Sequence, residues 1–114
     1  MDDCLFCKIV KKEIDAVIIE ENDDAIAFKD INPIAPNHIL IIPKKHIESV
    51  YSLDSSTYDV MSRISELANK ISKNKINAKD GCRWVVNTGS DGGQTVNHLH
   101  LHLIAGRKFS WPPG

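Results

Sequence analysis

The stretch His98-Leu99-His100-Leu101-His102-Leu103-Ile104 alternates imidazole and aliphatic side chains without a break. A chain with that period is extended, because successive side chains of a strand point to opposite faces. Three imidazoles then share one face, and Leu99, Leu101 and Leu103 form the other. The leucine face predicts a core, and the histidine face predicts chemistry, since neutral imidazole serves as general base, nucleophile and metal ligand. A strand rises about 3.3 Å per residue, which separates His98 from His102 by roughly 13 Å. One zinc ion with bonds near 2 Å therefore cannot take all three without severe distortion.

Working outward, Gly89-Ser90-Asp91-Gly92-Gly93-Gln94-Thr95 precedes the strand. Small residues let backbone approach a ligand, so this stretch is predicted to be a flexible loop able to cradle a phosphate with its N–H groups. The expected strand covers Asn97 to Ile104, with a fourth strand over Arg83 to Asn87. Short β-branched runs, Ala16 to Glu20 and Ala25 to Lys29, are separated by Asn22-Asp23-Asp24 and predict a hairpin. After the turn-forming Asp30 to Asn37, His38 to Pro43 reads as a third, mostly buried strand. Leu5, Phe6, Ile9 and Val10 predict a short N-terminal helix. Val60, Ile64, Leu67, Ala68 and Ile71 predict the one long amphipathic helix, with Ser56-Thr57-Tyr58-Asp59 spaced as a capping box at its start. Lys70 to Lys75 suit its C-terminus as a solvated, dipole-complementing end. The expected architecture is α+β, a five-stranded antiparallel sheet with one main helix.

With 114 residues the chain is expected to be one domain, residues 1–114. Its 14 Lys and Arg against 15 Asp and Glu give a net charge of -1. That balance argues against nucleic acid as a partner, so any bound phosphate must be held by a few local groups. No apolar run approaches the roughly 20 residues that span a bilayer, and MDDCLFCKIV lacks the layout of a signal peptide. A soluble cytoplasmic protein is expected, with the nucleus also open to it if the source is eukaryotic. Cys4, Cys7 and Cys82 then read as reduced thiols or metal ligands, not as a disulfide framework. Read from the residues alone, Asp30 is as good a turn cap as a sugar ligand. Phe6, Ile9, Ile14, Phe28 and Ile31 read first as core.

The histidine run matches the signature His-φ-His-φ-His-φ-φ, φ being apolar, and so resembles the histidine triad superfamily. The likeness extends through Phe28-Lys-Asp-Ile31, Ala35-Pro-Asn-His38, Ile42-Pro-Lys-Lys-His46, Val86 to Gln94 and the terminal Trp111-Pro-Pro-Gly114. It is most similar to the histidine triad nucleotide-binding branch, the purine nucleoside phosphoramidases, and less so to the dinucleoside polyphosphate hydrolases. The resemblance implies the histidine triad fold and a hydrolase that cleaves purine nucleoside 5'-phosphoramidates through a nucleotidyl-histidine intermediate. A dinucleoside polyphosphate hydrolase and a nucleotide-binding scaffold with little turnover are the alternatives.

Residue by residue, the resemblance implies catalytic roles for His38, His98, His100 and His102, with His100 the nucleophile and His38 and His102 flanking the phosphate. It implies that Phe6, Ile9, Ile14, Phe28 and Ile31 hold the purine of AMP or GMP and that Asp30 takes the ribose hydroxyls. Asn87, Gly93, Gln94, Thr95, His100 and His102 would then surround the phosphate; the family commonly has Ser where Thr95 stands. Cys4-Leu-Phe-Cys7 resembles the zinc-bearing members, which implies a structural zinc held by Cys4, Cys7, His46 and His98 and no redox cofactor. The branch also implies a homodimer whose C-terminal tail crosses to the partner's leaving-group pocket.

Overall fold

Five strands lie antiparallel in the order β1-β2-β3-β5-β4 in a computed structural model that describes residues 3–76 and 78–114. They are β1 (Ile18–Glu21), β2 (Ala25–Lys29), β3 (Asn37–Pro43), β4 (Cys82–Val85) and β5 (Leu101–Ala105), accompanied by α1 (Leu5–Val10), α2 (Asp59–Asn74) and the four-residue α3 (Gly89–Gly92). This is the expected α+β architecture. Asn22 closes the β1–β2 hairpin by accepting the N–H groups of Asp24 and Ala25 on its side-chain oxygen.

The two faces of the sheet bury different things. Ala25, Ala27, Ile39, Ile41, Leu101 and Leu103 point to one side, where Ile64, Leu67, Ala68 and Ile71 of α2 cover them. Fully burying such an aliphatic side chain contributes roughly 1.5–3 kcal/mol. On the other side Ile26, Phe28, Leu40 and Ile42 pack under Phe6 and Ile9 of α1. The histidine side is thus half a second core, with α1 as its lid. β2 and β3 are buried on both faces, which explains their uninterrupted apolar runs.

Three local expectations need correction. The fifth strand begins at Leu101, not Asn97. Its ladder with β3 runs from Asn37↔Ala105 to Ile41↔Leu101; two residues on stands Pro43, which has no N–H to donate, so regular pairing stops. The incoming chain instead pairs once with the segment after β3, Leu99 N–H donating to the Ile47 carbonyl at 2.7 Å. Next, α2 starts without the expected box. Tyr58 occupies its N-cap with no side-chain cap bond, and the reciprocal bonds lie one turn earlier, where Asp54 Oδ1 accepts from Ser56 N–H at 2.9 Å and Thr57 Oγ1 accepts from Asp54 N–H at 2.9 Å. The better acceptor, a carboxylate, took the turn. Last, Gly89–Gly92 is a turn of helix and not an open loop, ended by Gly93 in the left-handed region at φ 84°.

Lys70 and Lys75 reach back to Glu20 at 3.4 and 3.7 Å, tying the end of α2 to β1. Among the described residues no helix is long and apolar enough to cross a membrane.

Candidate active site and metal centre

Where β5 ends its regular pairing, the histidines separate into two groups with different partners. His98 is fully buried. Its Nε2–H donates to the Pro43 carbonyl at 2.8 Å, the acceptor left over where the ladder stopped. That bond leaves Nδ1 with its lone pair, directed at Cys4 Sγ at 3.4 Å and Cys7 Sγ at 3.5 Å. His46 Nδ1 completes the group at 3.2 Å from Cys7 Sγ.

Zinc with bonds near 2.3 Å to sulfur and 2.0 Å to nitrogen requires sulfur–nitrogen edges of about 3.6 Å in a tetrahedron. The four ligand atoms, all within 4.8 Å of one another, meet that requirement. Burial and the neighbouring Cys4 push the Cys7 thiol above its ordinary pKa; two thiols side by side ionise readily only with a cation between them. Burial keeps His98 neutral, lowering its pKa. The donor set therefore fits a structural zinc.

His100 is buried beside Phe6, whose ring meets it edge-on with centroids 5.2 Å apart. Its Nδ1–H donates to the His98 carbonyl at 2.8 Å. Because a carbonyl can only accept, the proton sits on Nδ1 and the lone pair on Nε2.

His38 opposes Ile104 and His102 opposes Leu40 in the β3–β5 ladder, so the two histidines are diagonal neighbours on one face. Their protons follow from another backbone group. Ile34 N–H donates to His38 Nδ1 at 3.2 Å, which leaves the ring proton on Nε2, and Nε2 lies 2.9 Å from His102 Nδ1. His102 therefore accepts on Nδ1 and keeps Nε2–H as its own donor. Burial, then the neighbouring His100 and His38, hold the His102 pKa down at about 4. Burial also lowers that of His38, against the pull of Asp30, whose Oδ2 lies 3.3 Å from Nε2. Asp30, His38 and His102 converge closely enough for a metal, but the His38 proton faces the group where a metal needs a lone pair.

A cavity of about 290 Å³ opens beside His100 and His102. Buried Phe6, Ile9 and Phe28 form one wall, and the more exposed Ile14 and Ile31 form its lip. Asp30 and Thr95 line it as well. Asp30 Oδ1 also accepts Asn32 N–H at 2.8 Å, so one carboxylate both shapes the turn and faces the cavity.

Three of the residues expected around the phosphate are not in the lining of this cavity. Asn87 lines a second cavity, shared with His38 and His102. Gly93 sits exposed at the end of α3. Gln94 spends its side chain on backbone: Oε1 accepts Gly89 N–H at 3.0 Å, and Nε2 donates to the carbonyls of Glu48 at 2.8 Å and Val96 at 3.0 Å. The amides of Gly93 and Gln94 likewise donate within the loop, to Ser90 and Gly89.

Sequence reasoning did not identify the carbonyls of Pro43 and His98 and the amide of Ile34, which decide where the protons of His98, His100 and His38 lie and, through His38, that of His102; nearly any residue type supplies such backbone groups, so none leaves a signal. It also missed Arg83, Arg107 and Phe109 in the second cavity. The only available signal there was Phe109 with two arginines in strand-end positions.

A family model described as the HIT domain matches residues 11–109. Over 113 residues the chain is 42% identical to an uncharacterised HIT-like protein of Synechocystis, covering 99% of this chain and 98% of the other. It is 39% identical over 114 residues to a 14 kDa zinc-binding protein of Brassica juncea, covering 98% and 100%. The crystal structure of a HIT family hydrolase from Legionella pneumophila superposes with a TM-score of 0.94 at 44% identity, covering 98% and 100%.

Proposed function

The chain belongs to the histidine triad (HIT-domain) family, and from that premise we propose that it is a hydrolase of purine nucleoside 5'-phosphoramidates. The observation that carries the reading is the pairing of a nucleophile and a donor at one cavity. His100 offers an Nε2 lone pair because the His98 carbonyl holds its other nitrogen as N–H, and His102 offers an Nε2–H beside it.

The purine lies against Phe6, Ile9 and Phe28, with Ile14 and Ile31 at the lip, and Asp30 accepts from the ribose hydroxyls. That arrangement brings the α-phosphate to His100. Attack by Nε2 forms a P–N bond to the ring and breaks the P–N bond to the amine, which leaves with the bonding electron pair and a proton. Water then attacks the nucleotidyl-histidine, the ring departs with its lone pair, and the products are the nucleoside monophosphate and the free amine. Splitting one displacement into two easier ones is the general advantage of covalent catalysis.

His102 supplies the proton. Its low pKa keeps His102 neutral, but a bound phosphate is an anion next to the ring and raises that pKa. While His102 is neutral, His38, protonated on Nε2 and braced by Asp30, holds it in the Nε2–H tautomer; the second proton, on Nδ1, is balanced by the Asp30 carboxylate of the same cluster. Gln94 and Gly93 act one step back, fixing the turn that presents Thr95. Zinc at Cys4, Cys7, His46 and His98 supplies folding free energy, and a dimer with the tail of each chain near the other's leaving group completes the assembly.

The test is hydrolysis of a fluorogenic adenosine phosphoramidate by the wild type and by His100→Ala. Turnover by the first and its loss in the second supports the reading. An inactive wild type that still binds AMP leaves a nucleotide-binding scaffold instead.

A further inference from the structure

The proposed reading uses one of two cavities that His102 lines; the second, of about 390 Å³, it lines together with His38. The lining of this second cavity includes Arg83, Arg107, Phe109 and Asn87 together with His38 and His102 and, among the described residues, no Asp or Glu. Both guanidiniums lie over the Phe109 ring, with the Arg107 carbon 4.2 Å and the Arg83 carbon 5.1 Å from its centroid. Stacking fixes both planes. Backbone bonds fix them further: Arg83 Nη2 donates to the Ser110 carbonyl at 2.8 Å, Arg107 Nε to that of Ile34 at 2.9 Å, and Arg107 Nη1 to that of Lys108 at 3.2 Å.

Each guanidinium has five N–H donors, so most remain unspent on the bonds just named. Two fixed cations without a carboxylate in the same lining make a local positive site in a chain whose net charge is -1. Its position matters as much as its sign. A phosphorus atom attacked by His100 has its leaving group directed away from that ring, and His102 is the wall common to both cavities.

Resting on the hydrolase reading, we propose that the Arg83–Phe109–Arg107 cavity is the leaving-group subsite and selects leaving groups that carry an anionic oxygen group. Two sources share that chemistry: an amino acid joined through its nitrogen to the nucleotide, presenting its carboxylate, and a further phosphate. Planar guanidinium recognises either in a bidentate way, and Asn87 adds an amide.

The experiment uses His100→Ala protein, in which ligands persist, and calorimetric Kd values for matched pairs. Adenosine phosphoramidates of phenylalanine and of phenylalaninamide differ only in carboxylate against amide; ADP and AMP differ by one phosphate. The expected result is at least about fivefold tighter binding of the anionic member of one pair, the pair that shows it identifying the source. Arg107→Gln should bring that ratio close to one, while Arg107→Lys, which keeps the charge, retains part of it. Should the Gln variant not fold, salt answers instead: the ratio for the unaltered arginines falls as ionic strength rises from about 0.05 to about 0.5 M.

Ratios of one for both pairs, or a ratio untouched by Arg107→Gln and by salt, overturn the inference. Wild-type turnover of the phenylalaninamide compound is scored separately. Turnover without an anion preference sinks only the subsite, and a preference without turnover sinks only the hydrolase reading.

Discussion

The imidazole of His100 donates to the backbone carbonyl of His98 at 2.8 Å, so the residue whose ring completes the metal cluster also fixes the proton of its neighbour two positions on. One residue just ahead of β5 serves two sites because its side chain points one way and its carbonyl another. The metal-ligand cluster and the His100 ring are thereby linked through one residue, although among the described residues the Cys4–Cys7 cluster and the cavity beside His100 share none.

Freshly reacted wild type is expected to carry a nucleotidyl group on His100, stable in base and labile in acid as a phosphorus–imidazole bond is. His100→Ala should lose turnover by about 10³-fold or more, the scale on which removal of a covalent nucleophile is felt. A label that survives in His100→Ala, located by peptide mapping, would move the nucleophile to another residue.

Protein purified without chelators should contain about one zinc per chain by elemental analysis. Cys4→Ser should lower the melting temperature by about 5 °C or more, because a closed structural site contributes folding free energy. Its effect on turnover should be smaller, since Pro43 still accepts from His98 Nε2 and keeps that backbone in place. Metal-free protein of unchanged stability would sink this assignment.

Stability of the ligand-free protein should fall as pH drops from about 6.5 toward 4. His102 has a folded pKa of about 4 against an ordinary value of 6.5, so between those values the unfolded chain binds more protons, and stability rises with pH there. The His102 contribution is complete above about 6.5 and is lost as pH falls through the folded pKa, amounting to at most about 3 kcal/mol. His38, lowered in the same direction, steepens the fall. Denaturant unfolding of wild type and of His102→Gln at pH 7 and pH 4.5 checks this: the variant should lose less. Bound AMP should shift the His102 titration upward by NMR, since the phosphate favours the imidazolium.

A homodimer is expected by light scattering at micromolar concentration. β4 pairs with β5 on one edge and carries Trp84, 40% exposed, on a strand whose other edge is unpaired among the described residues; exposed strand edges are ordinarily covered. Trp111 is 83% exposed in the single chain, a large apolar surface for a C-terminal tail. Deleting residues 111–114 should change the ranking of amine leaving groups more than it changes the melting temperature. A monomer, or an unchanged ranking, would remove the corresponding half of the expectation.

Local periodicity determined what could be known before folding. The two-residue period of His98 to Ile104, the helical spacing of Val60 to Ile71 and the turn at Asn22 to Asp24 each report the local conformation of a segment and which side chains share a face, properties of the segment alone. The family signature carried further, bringing residues 94 positions apart, Cys4 and His98, into one expected cluster; these the structure brings to 3.4 Å. Only the tertiary structure decided which nitrogen of His38, His98, His100 and His102 holds its proton, because the deciding groups are the carbonyls of Pro43 and His98 and the amide of Ile34. Only it could show that Gln94 is consumed by backbone bonds, that the strand begins at Leu101 because Pro43 stops the ladder, and that Arg83 and Arg107 close on Phe109 beside His102. Such contacts depend on where distant backbone runs past a side chain, and the identity of that side chain does not encode what passes it.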